Sequence, residues 1–286
     1  MAALVDRLKA AAERLSAALA LEPREARLEA QILAARALGV NRAWLIAHDR
    51  DALSAPQAAA VESLIARREM GEPVAYILGE REFYGRIFKV TPDVLIPRPE
   101  TELLVEAALE RLPSSAPVRI LDMGTGSGCI AITLALERPD CQITAVDNSL
   151  AALEVARGNA TQLAAHNVRF LVSDWYDQLG AMSFDMIVSN PPYIAVDDMH
   201  LRKGDLPHEP IHALVPGPLG LNAIQAIVAR AAGHLIPSGW LLLEHGYDQA
   251  KDCADALGRA GYKHIFMLRD LGGQARVTGG QRPKQA

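Results

Sequence analysis

The sequence predicts an α/β fold, in which a mostly parallel sheet ends in an antiparallel hairpin and is preceded by a small helical bundle. Three observations support this prediction. Residues 1–75 are rich in strong helix formers. From Val118 onward, short apolar runs alternate with helical patterns, which is typical of parallel strands covered by helices on both faces. Near the end, 262–268 and 274–278 are strand-like runs joined through a glycine pair, a connection too short for a helix.

Composition and charge exclude several classes of protein. The chain has 286 residues, half of them hydrophobic and 22% charged, as in an ordinary globular protein. A net charge of −5 argues against binding long nucleic acid through the whole surface. Three scattered cysteines predict a reducing compartment and no metal site. The N-terminus lacks the apolar core of a signal peptide, so we expect a cytoplasmic protein that binds no membrane.

The first quarter of the chain predicts four helices. Leucines and alanines recur at helical spacing in the first helix, and Pro23 and Gly39 suit the two ends of the second. Asn41 can cap a short third helix, and Ser54 a fourth that ends near Gly71. The segment carries ten basic and ten acidic residues and no catalytic pattern. We therefore expect a bundle that docks a substrate or partner.

The segment that follows predicts a joint between two domains. Residues 83–90 have β-favouring residues around a glycine and predict a hairpin, whereas 99–102 resemble a helix start. Arg98 and Glu100 are candidate site residues only by position, and capping charges in a linker explain them as simply. The predicted organisation is a helical bundle over 1–75, a β-hairpin linker over 76–97, and a second domain over 98–286.

The second domain predicts a sheet whose strands are apolar on both faces. Helical patterns separate the strands, for example at 150–164 and 221–235. The predicted parallel strands are 118–123, 142–146, 168–172, 184–188 and 240–244.

The first predicted strand runs into Asp122-Met123-Gly124-Thr125-Gly126-Ser127-Gly128, where three glycines allow the backbone to approach a ligand closely. This is not a dinucleotide fingerprint, because Cys129 stands where the third glycine is required. It is not a P-loop either, because no Gly-Lys-Ser/Thr follows. The spacing Asp-x-Gly-x-Gly-x-Gly after a first strand resembles the pattern of S-adenosylmethionine methyltransferases.

The second and third strands also end in polar residues. Asp147 stands about 20 residues past the glycines, where a carboxylate can hold a ribose diol, although with Ser149 it could merely cap the next helix. The third strand runs into Ser173-Asp174-Trp175, where an acid and an aromatic ring could contact adenine. A loop acid and a core tryptophan would give the same pattern.

The fourth strand ends in Ser189-Asn190-Pro191-Pro192-Tyr193, and two prolines cannot continue a central strand. Asn190 therefore lies where ligands bind in a parallel sheet. Its side-chain oxygen and the Pro191 carbonyl are acceptors that suit a planar NH2 group, and Tyr193 adds a flat face. These residues also favour an ordinary turn. Because the first four strands all present polar residues or glycines at one end, we predict a site there.

Together these motifs resemble the amino-methyltransferases and, among them, the release factor glutamine methyltransferases. The resemblance runs nearly end to end and implies a Rossmann-like class I S-adenosylmethionine methyltransferase domain with a seven-stranded sheet over 98–286. Beyond the motifs above, it rests on the helical N-terminal domain and on Ile96-Pro97-Arg98-Pro99-Glu100-Thr101-Glu102, Glu209-Pro210, Ala213-Leu214 and Leu243-Glu244-His245-Gly246.

The resemblance implies the substrate, the cofactor and their residues. The substrate is the glutamine of the Gly-Gly-Gln motif in peptide chain release factors, with no stable binding of nucleic acid, and the cofactor is S-adenosylmethionine. The implied catalytic and substrate-binding residues are Asn190, Pro191, Pro192 and Tyr193. The implied cofactor-binding residues are Gly124, Thr125, Gly126, Ser127, Gly128, Asp147, Trp175 and Asn190.

Other interpretations remain open at this stage. A nucleic-acid methyltransferase acting on exocyclic amino groups, as at adenine N6, would need a surface for phosphates. A non-catalytic S-adenosylmethionine-binding scaffold is disfavoured by the intact Asn190 and glycines. The chain itself contains Gly272-Gly273-Gln274, interpreted as a turn between edge strands, and Gly279-Gly280-Gln281, interpreted as part of a frayed polar tail.

Overall fold

The structure, a computed structural model, describes residues 3–113, 116–217 and 220–284. The chain divides into two compact units. The first comprises the residues up to Glu80 together with Arg202–His208, and the second comprises Arg81–Leu201 and the chain from Glu209 onward. The helical unit thus extends past the predicted boundary at residue 75 and includes a segment distant in sequence. No helix within the described ranges is long and apolar enough to cross a membrane.

The first unit is a bundle whose helix ends follow local capping chemistry. The Ser54 side chain and Gln57 form a reciprocal capping box, the Asn41 side chain accepts from the Trp44 amide, and Gly39 ends its helix in the left-handed region. Sequence analysis did not predict the last helix of this unit, because its five residues are too few to show a helical periodicity. The helices are α1 (Leu4–Leu19), α2 (Pro23–Leu38), α3 (Arg42–Ala47), α4 (Ala55–Glu69) and α5 (Val74–Leu78).

An ion cluster secures the distant segment within the first unit. The Arg68 side chain, only 3% exposed, donates to Glu29 at 2.8 and 3.2 Å and to Asp205 at 2.9 Å. It also donates to the carbonyls of Gly71 and Glu72. Since Arg68 and Asp205 are 137 positions apart, no local pattern could have predicted this pairing.

A β-hairpin follows the bundle, as the sequence predicted. Strands β1 (Glu80–Phe83) and β2 (Arg86–Lys89) are joined through Tyr84 and Gly85, which both have positive φ. Two left-handed residues form the turn that suits the twist of a tight hairpin. Phe83 and Phe88 are buried, and their rings meet edge to face at 6.0 Å.

The second unit contains the predicted seven-stranded sheet, with order β5-β4-β3-β6-β7-β9-β8. The first five strands in that order are parallel, and β9 runs antiparallel to both β7 and β8. This confirms the predicted fold class. The strands are β3 (Arg119–Met123), β4 (Gln142–Asp147), β5 (Val168–Val172), β6 (Phe184–Ser189), β7 (Leu235–Glu244), β8 (Lys263–Arg269) and β9 (Ala275–Gln281).

Helices cover both faces of the sheet. Successive residues of β3 point to opposite faces, so Ile120 and Leu121 belong to different apolar clusters. The first cluster includes residues of α6, α7 and α8, and the second includes residues of α10 and α11. These helices and one further short helix are α6 (Glu102–Arg111), α7 (Cys129–Glu137), α8 (Leu150–Gln162), α9 (Ile211–Leu214), α10 (Asn222–His234) and α11 (Ala250–Arg259).

One sequence-based interpretation was wrong. Gly279-Gly280-Gln281 is not part of a frayed tail, because it lies within β9 with both glycines buried. A Cβ on Gly279 would lie 2.6 Å from the Phe266 ring, so glycine is required where that ring packs on the strand. The other interpretation is confirmed, since Gly272 and Gly273 form the turn between β8 and β9.

Candidate active site

A pocket in the second unit opens where β3, β4, β5 and β6 end, the edge at which a parallel sheet binds its ligands. It brings together residues from all four of the predicted strand-end motifs and adds residues 93–95 and two residues of α9, His212 and Ala213. The lining residues are Asp93, Val94, Leu95, Gly124, Gly126, Val146, Asp147, Asn148, Ala152, Ser173, Asp174, Trp175, Asn190, Pro192, His212 and Ala213.

The glycine loop forms one wall of the pocket. The backbone amides of Gly124 and Thr125 donate to the Val146 carbonyl at 2.9 and 3.0 Å, which bends the chain sharply after β3. Gly126 adopts a φ of 54°, and nothing lies within 4 Å of the point where its Cβ would be. Gly126 lines the pocket in a left-handed conformation that glycine adopts without strain, so its backbone is accessible to a ligand.

The other predicted loop residues are not among those that line the pocket. Thr125 donates its hydroxyl to Asp122 at 2.7 Å, and the Ser127 carbonyl accepts from the Asn159 side chain at 2.9 Å. Gly128 lies against Ile132 at the start of α7. Complete burial raises the pKa of Asp122 to about 7. The cofactor contacts predicted for Thr125, Ser127 and Gly128 therefore stay predictions.

Asp147 contacts the start of α8, as the capping interpretation expected, and also the glycine loop; its predicted contact with a ribose stays a prediction. One carboxylate oxygen accepts from the Gly126 amide at 2.9 Å, and the other accepts from the Ser149 amide at 2.9 Å. The Ser149 side chain in turn caps α8 by accepting from the Ala152 amide at 3.1 Å. The carboxylate thus holds the glycine loop and the start of α8 together at the pocket edge.

Trp175 also lines the pocket and has an unusual backbone conformation. Its φ of 48° is left-handed, which is rare for a bulky residue and is held by neighbouring contacts. The Ser173 hydroxyl donates to the Trp175 carbonyl at 2.9 Å and accepts from the Gln178 amide at 3.1 Å. These bonds fix the half-exposed indole in the pocket lining beside Asp174.

Asn190 and Pro192 reach the pocket from the end of β6. The Asn190 side-chain NH2 donates to the buried Thr101 hydroxyl at 3.1 Å. A carboxamide used as a donor on one side presents its acceptor oxygen on the other. Pro191 and Tyr193 do not line this pocket; Pro191 is buried, and the Tyr193 carbonyl accepts from Gln249 at 2.9 Å.

A buried acid lies behind this segment. Glu244, at the end of β7, is 1% exposed, and the Tyr193 hydroxyl donates to it at 3.5 Å. Burial raises the pKa of Glu244 to about 7, and hydrogen bonds from Thr101 and Tyr193 oppose that rise. Burial also raises the pKa of Tyr193, with the charge of Glu244 adding to it.

Arg98 and Glu100 have different surroundings. Arg98 forms an ion pair with the buried Glu209, which also accepts from the Ile96 amide at 3.1 Å. Glu209 stands just before α9, so the pair ties Arg98 to the helix that brings His212 to the pocket. The negative charge of Glu100 adds to the rise in the pKa of both Glu244 and Tyr193, which burial causes first.

Several of these residues were missed by sequence reasoning. Glu244 could have been found, because it is an acid at the end of a predicted strand, like Asp147. Thr101 belongs to a motif that carries the family resemblance, but no local pattern paired it with Asn190 or paired Asn159 with Lys89, since these partners are 89 and 70 positions apart. Among the residues described, no cluster of His, Cys, Asp or Glu is arranged to hold a metal ion.

The pocket suits S-adenosylmethionine chemically. An open glycine wall leaves room for backbone contacts to an amino-acid moiety, the Asp147 carboxylate can accept from ribose hydroxyls, and the Trp175 indole offers an apolar face. These three features lie around one cavity, so the residues present fit the cofactor that the fold class uses.

Comparison with known proteins shows which families this chain resembles. The family model "Methyltransferase small domain" matches residues 100–204, and "PrmC N-terminal domain" matches residues 6–79. A release factor glutamine methyltransferase of Bordetella pertussis is 51% identical, over 92% of this chain and 97% of its own. A relative of the same name from Escherichia coli is 45% identical, over 89% and 92% of the two chains.

Solved structures show the same fold at low identity. A methyltransferase from Pyrococcus furiosus superposes with a TM-score of 0.53 at 19% identity, over 76% of this chain and 97% of its own. The 16S rRNA N2 G1207 methyltransferase of T. thermophilus, in complex with AdoMet and guanosine, has a TM-score of 0.53 at 24% identity. That match covers 71% of this chain and 49% of the other.

Proposed function

The chain belongs to the release factor glutamine methyltransferase family, and we propose from this premise that it methylates the glutamine of the Gly-Gly-Gln motif in peptide chain release factors. The methyl acceptor is the side-chain amide nitrogen, N5. The enzyme is an S-adenosylmethionine-dependent methyltransferase. The observation that most strongly supports the proposed substrate is the identity of 44–51% to enzymes of that name along nearly the whole chain.

The difficulty of the reaction lies in its nucleophile. An amide nitrogen is a poor nucleophile, because its lone pair is delocalised into the carbonyl. S-adenosylmethionine, when bound, supplies an electrophilic methyl group on a sulfonium. Gly124, Gly126, Asp147 and Trp175 would hold it, because they line the pocket and match its parts. The remaining task of the protein is to position the amide nitrogen.

Asn190 and Pro191 perform that positioning in our proposal. The Asn190 side-chain oxygen and the Pro191 carbonyl accept the two protons of the substrate amide, which orients the nitrogen and favours the positive charge that it gains. Tyr193 packs on the amide plane, and Pro192 shapes the turn. Fixing both reactants at near-attack distance can lower the barrier by roughly 7–11 kcal/mol at best. No dedicated general base is needed if the proton leaves after methyl transfer.

The division of labour between the domains is also a proposal. Residues 1–75 would dock the release factor, 76–97 would link the domains, and 98–286 would carry out catalysis. The equal numbers of acidic and basic residues in the bundle suit a protein partner better than a phosphate backbone. A release factor as substrate locates the reaction in the cytoplasm, where translation terminates.

Methyl transfer from radiolabelled S-adenosylmethionine tests the substrate. The acceptors are a purified release factor, the same factor with its Gly-Gly-Gln glutamine changed to alanine, and bulk DNA or RNA. We expect label on the unmodified factor alone. Label on nucleic acid alone would refute the substrate while leaving the fold and cofactor unaffected.

Asn190→Ala tests the positioning role. The variant should lose at least about tenfold in turnover, because one of the two acceptors is gone. Its affinity for S-adenosylmethionine, measured by calorimetry, should change much less. Turnover close to that of the wild type would contradict the role assigned to Asn190.

A further inference from the structure

The acceptor segment, residues 190–193, offers few groups by which the fold can hold it. Pro191 and Pro192 have no amide hydrogen, and Asn190 must keep its side-chain oxygen free for the substrate in the role proposed above. Each proline fixes only its own φ, so the direction of the Pro191 carbonyl depends on how the two ends of the segment are held. The contacts of Tyr193, at the far end, therefore bear on the geometry of the acceptor pair.

Gln249 holds the Tyr193 end from the loop that follows β7. Its side-chain Nε2 donates to the Tyr193 carbonyl at 2.9 Å, and its Oε1 accepts from the Gly246 amide at 3.0 Å. A backbone amide can only donate and a carbonyl can only accept, so these two partners permit a single orientation of the Gln249 carboxamide. One side chain thus joins the loop after β7 to the segment after β6.

The loop that carries Gln249 is itself anchored to the sheet. The His245 amide donates to the Arg276 carbonyl of β9 at 2.9 Å, and the Nε2 atom of its ring lies 2.8 Å from the Thr278 hydroxyl. His245 and Thr278 are both fully buried. The Gln249 amide also donates to the Gly246 carbonyl at 2.9 Å, which closes the turn. The carboxamide therefore has a fixed support.

Gly220 lies against the same bond and provides an independent observation. A Cβ on Gly220 would lie 2.8 Å from the Tyr193 carbonyl oxygen and 3.1 Å from Nε2 of Gln249. The first of these distances is shorter than a Cβ tolerates against backbone, so any larger residue would displace the carbonyl that Gln249 holds. The φ of Gly220 is 67°, a left-handed conformation that also favours glycine.

We propose that Gln249 is a positioning residue for methyl transfer, which fixes the Tyr193 end of the acceptor segment in the space that Gly220 leaves for this contact. The inference rests on the acceptor pair proposed above. The contact at the other end of Tyr193 is weaker, because its hydroxyl lies 3.5 Å from the Glu244 carboxylate. Loss of the Gln249 donor should therefore let the Pro191 carbonyl turn away from the substrate amide.

Gln249→Glu separates the donor from the shape of the side chain. The variant keeps one oxygen for the Gly246 amide and places the other against the Tyr193 carbonyl, so that acceptor faces acceptor. We expect kcat with the release factor to fall about ten- to hundredfold, while the affinity for S-adenosylmethionine, measured by calorimetry, stays within about threefold. A residue that merely supported the fold of the pocket would lower both together.

Gln281 provides a matched control at another place in the sheet. Its side chain donates to the Ser238 carbonyl, also at 2.9 Å, and neither residue lines the pocket. Ser238 lies in the first half of β7, whereas the loop that carries Gln249 follows the end of that strand. Gln281→Glu makes the same chemical change and should leave kcat unchanged.

Gly220→Ala disturbs the same carbonyl by a different route. The added Cβ should displace the Tyr193 carbonyl and lower kcat about tenfold, a loss in the range expected when a reacting group is misplaced. Gly273 in the turn between β8 and β9 is its control, because it has a φ of 79° and nothing lies within 4 Å of the position of its Cβ. Gly273→Ala carries a similar backbone strain and should leave kcat unchanged.

A double variant tests whether Gln249 acts through the acceptor segment. If it does, Gln249→Glu should cost little once Asn190→Ala has removed one acceptor, so kcat of the double variant should lie within about threefold of the worse single variant. Losses that simply multiply would overturn the inference, because Gln249 would then act independently of Asn190.

The remaining outcomes separate this inference from the proposed function. Wild-type kcat in Gln249→Glu, or an equal loss in Gln281→Glu, would overturn the inference when Asn190→Ala is impaired. Wild-type kcat in Gly220→Ala would overturn it as well, and this variant decides the matter if Gln249→Glu does not fold. An unimpaired Asn190→Ala would instead refute the proposed function of the site.

Discussion

Asn159 on α8 connects the hairpin to the glycine loop, and its replacement should destabilise the second unit. The side chain is fully buried; its oxygen accepts from the Lys89 amide at 2.8 Å, and its NH2 group donates to the carbonyls of Lys89 and Ser127 at 3.0 and 2.9 Å. Asn159→Leu keeps a similar volume and removes all three bonds. At about 1 kcal/mol for each bond, we expect a loss of about 3 kcal/mol.

That loss is large compared with the roughly 5–15 kcal/mol by which a domain is stable. It corresponds to a Tm about 6–12 °C lower for a unit of this size. Because Ser127 belongs to the glycine loop, the affinity for S-adenosylmethionine should fall as well. Urea unfolding followed by circular dichroism measures the first effect, and titration calorimetry measures the second.

Gln162 gives a matched control on the same helix. Its side chain donates to the Ile87 carbonyl of the same hairpin strand, but at 3.5 Å and in an exposed position. Gln162→Leu should change the free energy of unfolding by less than about 0.5 kcal/mol. If Asn159→Leu were no more destabilising than Gln162→Leu, the reasoning that these buried bonds join hairpin and glycine loop would be refuted.

Three further predictions follow from single contacts. Asp147→Ala should weaken the affinity for S-adenosylmethionine at least about tenfold, and unchanged affinity by calorimetry would reject its role. Burial raises the pKa of Asp122 from 3.8 to about 7 in the fold. Protonated Asp122 therefore stabilises the fold fully below about pH 4, and this stabilisation is lost as pH rises through 7. Asp122→Asn should make stability depend less on pH, which is measured as the urea unfolding midpoint at a series of pH values. Arg68→Ala leaves Glu29 and Asp205 unpaired and should cost about 3–5 kcal/mol, measured by thermal unfolding.

Local chemistry made much of the fold predictable. The helix ends at Gly39, Asn41 and Ser54 depend on residues within a few positions of each other, so capping rules were sufficient. The parallel strands were recognisable because strands buried on both faces are continuous apolar runs. Their carboxyl ends converge by topology, so Asp147 and Asn190 could be assigned to one edge before any distance was known.

The second Gly-Gly-Gln segment shows where local patterns fail. Glycines and a polar neighbour near a chain end resemble a loose tail. In the fold, Gly279 is required because the Phe266 ring packs where its side chain would be, and Gly280 pairs with Leu241 in the sheet. Burial of a glycine depends on its neighbours in space, and the sequence does not name those neighbours.

The sequence by itself determined the fold class and the strand ends that form the pocket, including Asn190 at the end of β6. Local sequence patterns are sufficient for these features, because apolar runs, helix caps and turns each depend on residues only a few positions apart. Only the tertiary structure decided that Thr101 meets Asn190 across 89 positions and that Tyr193 meets the buried Glu244 across 51. A hydrogen-bond direction depends on which groups the fold brings within about 3 Å. That proximity is set by the packing of the whole sheet.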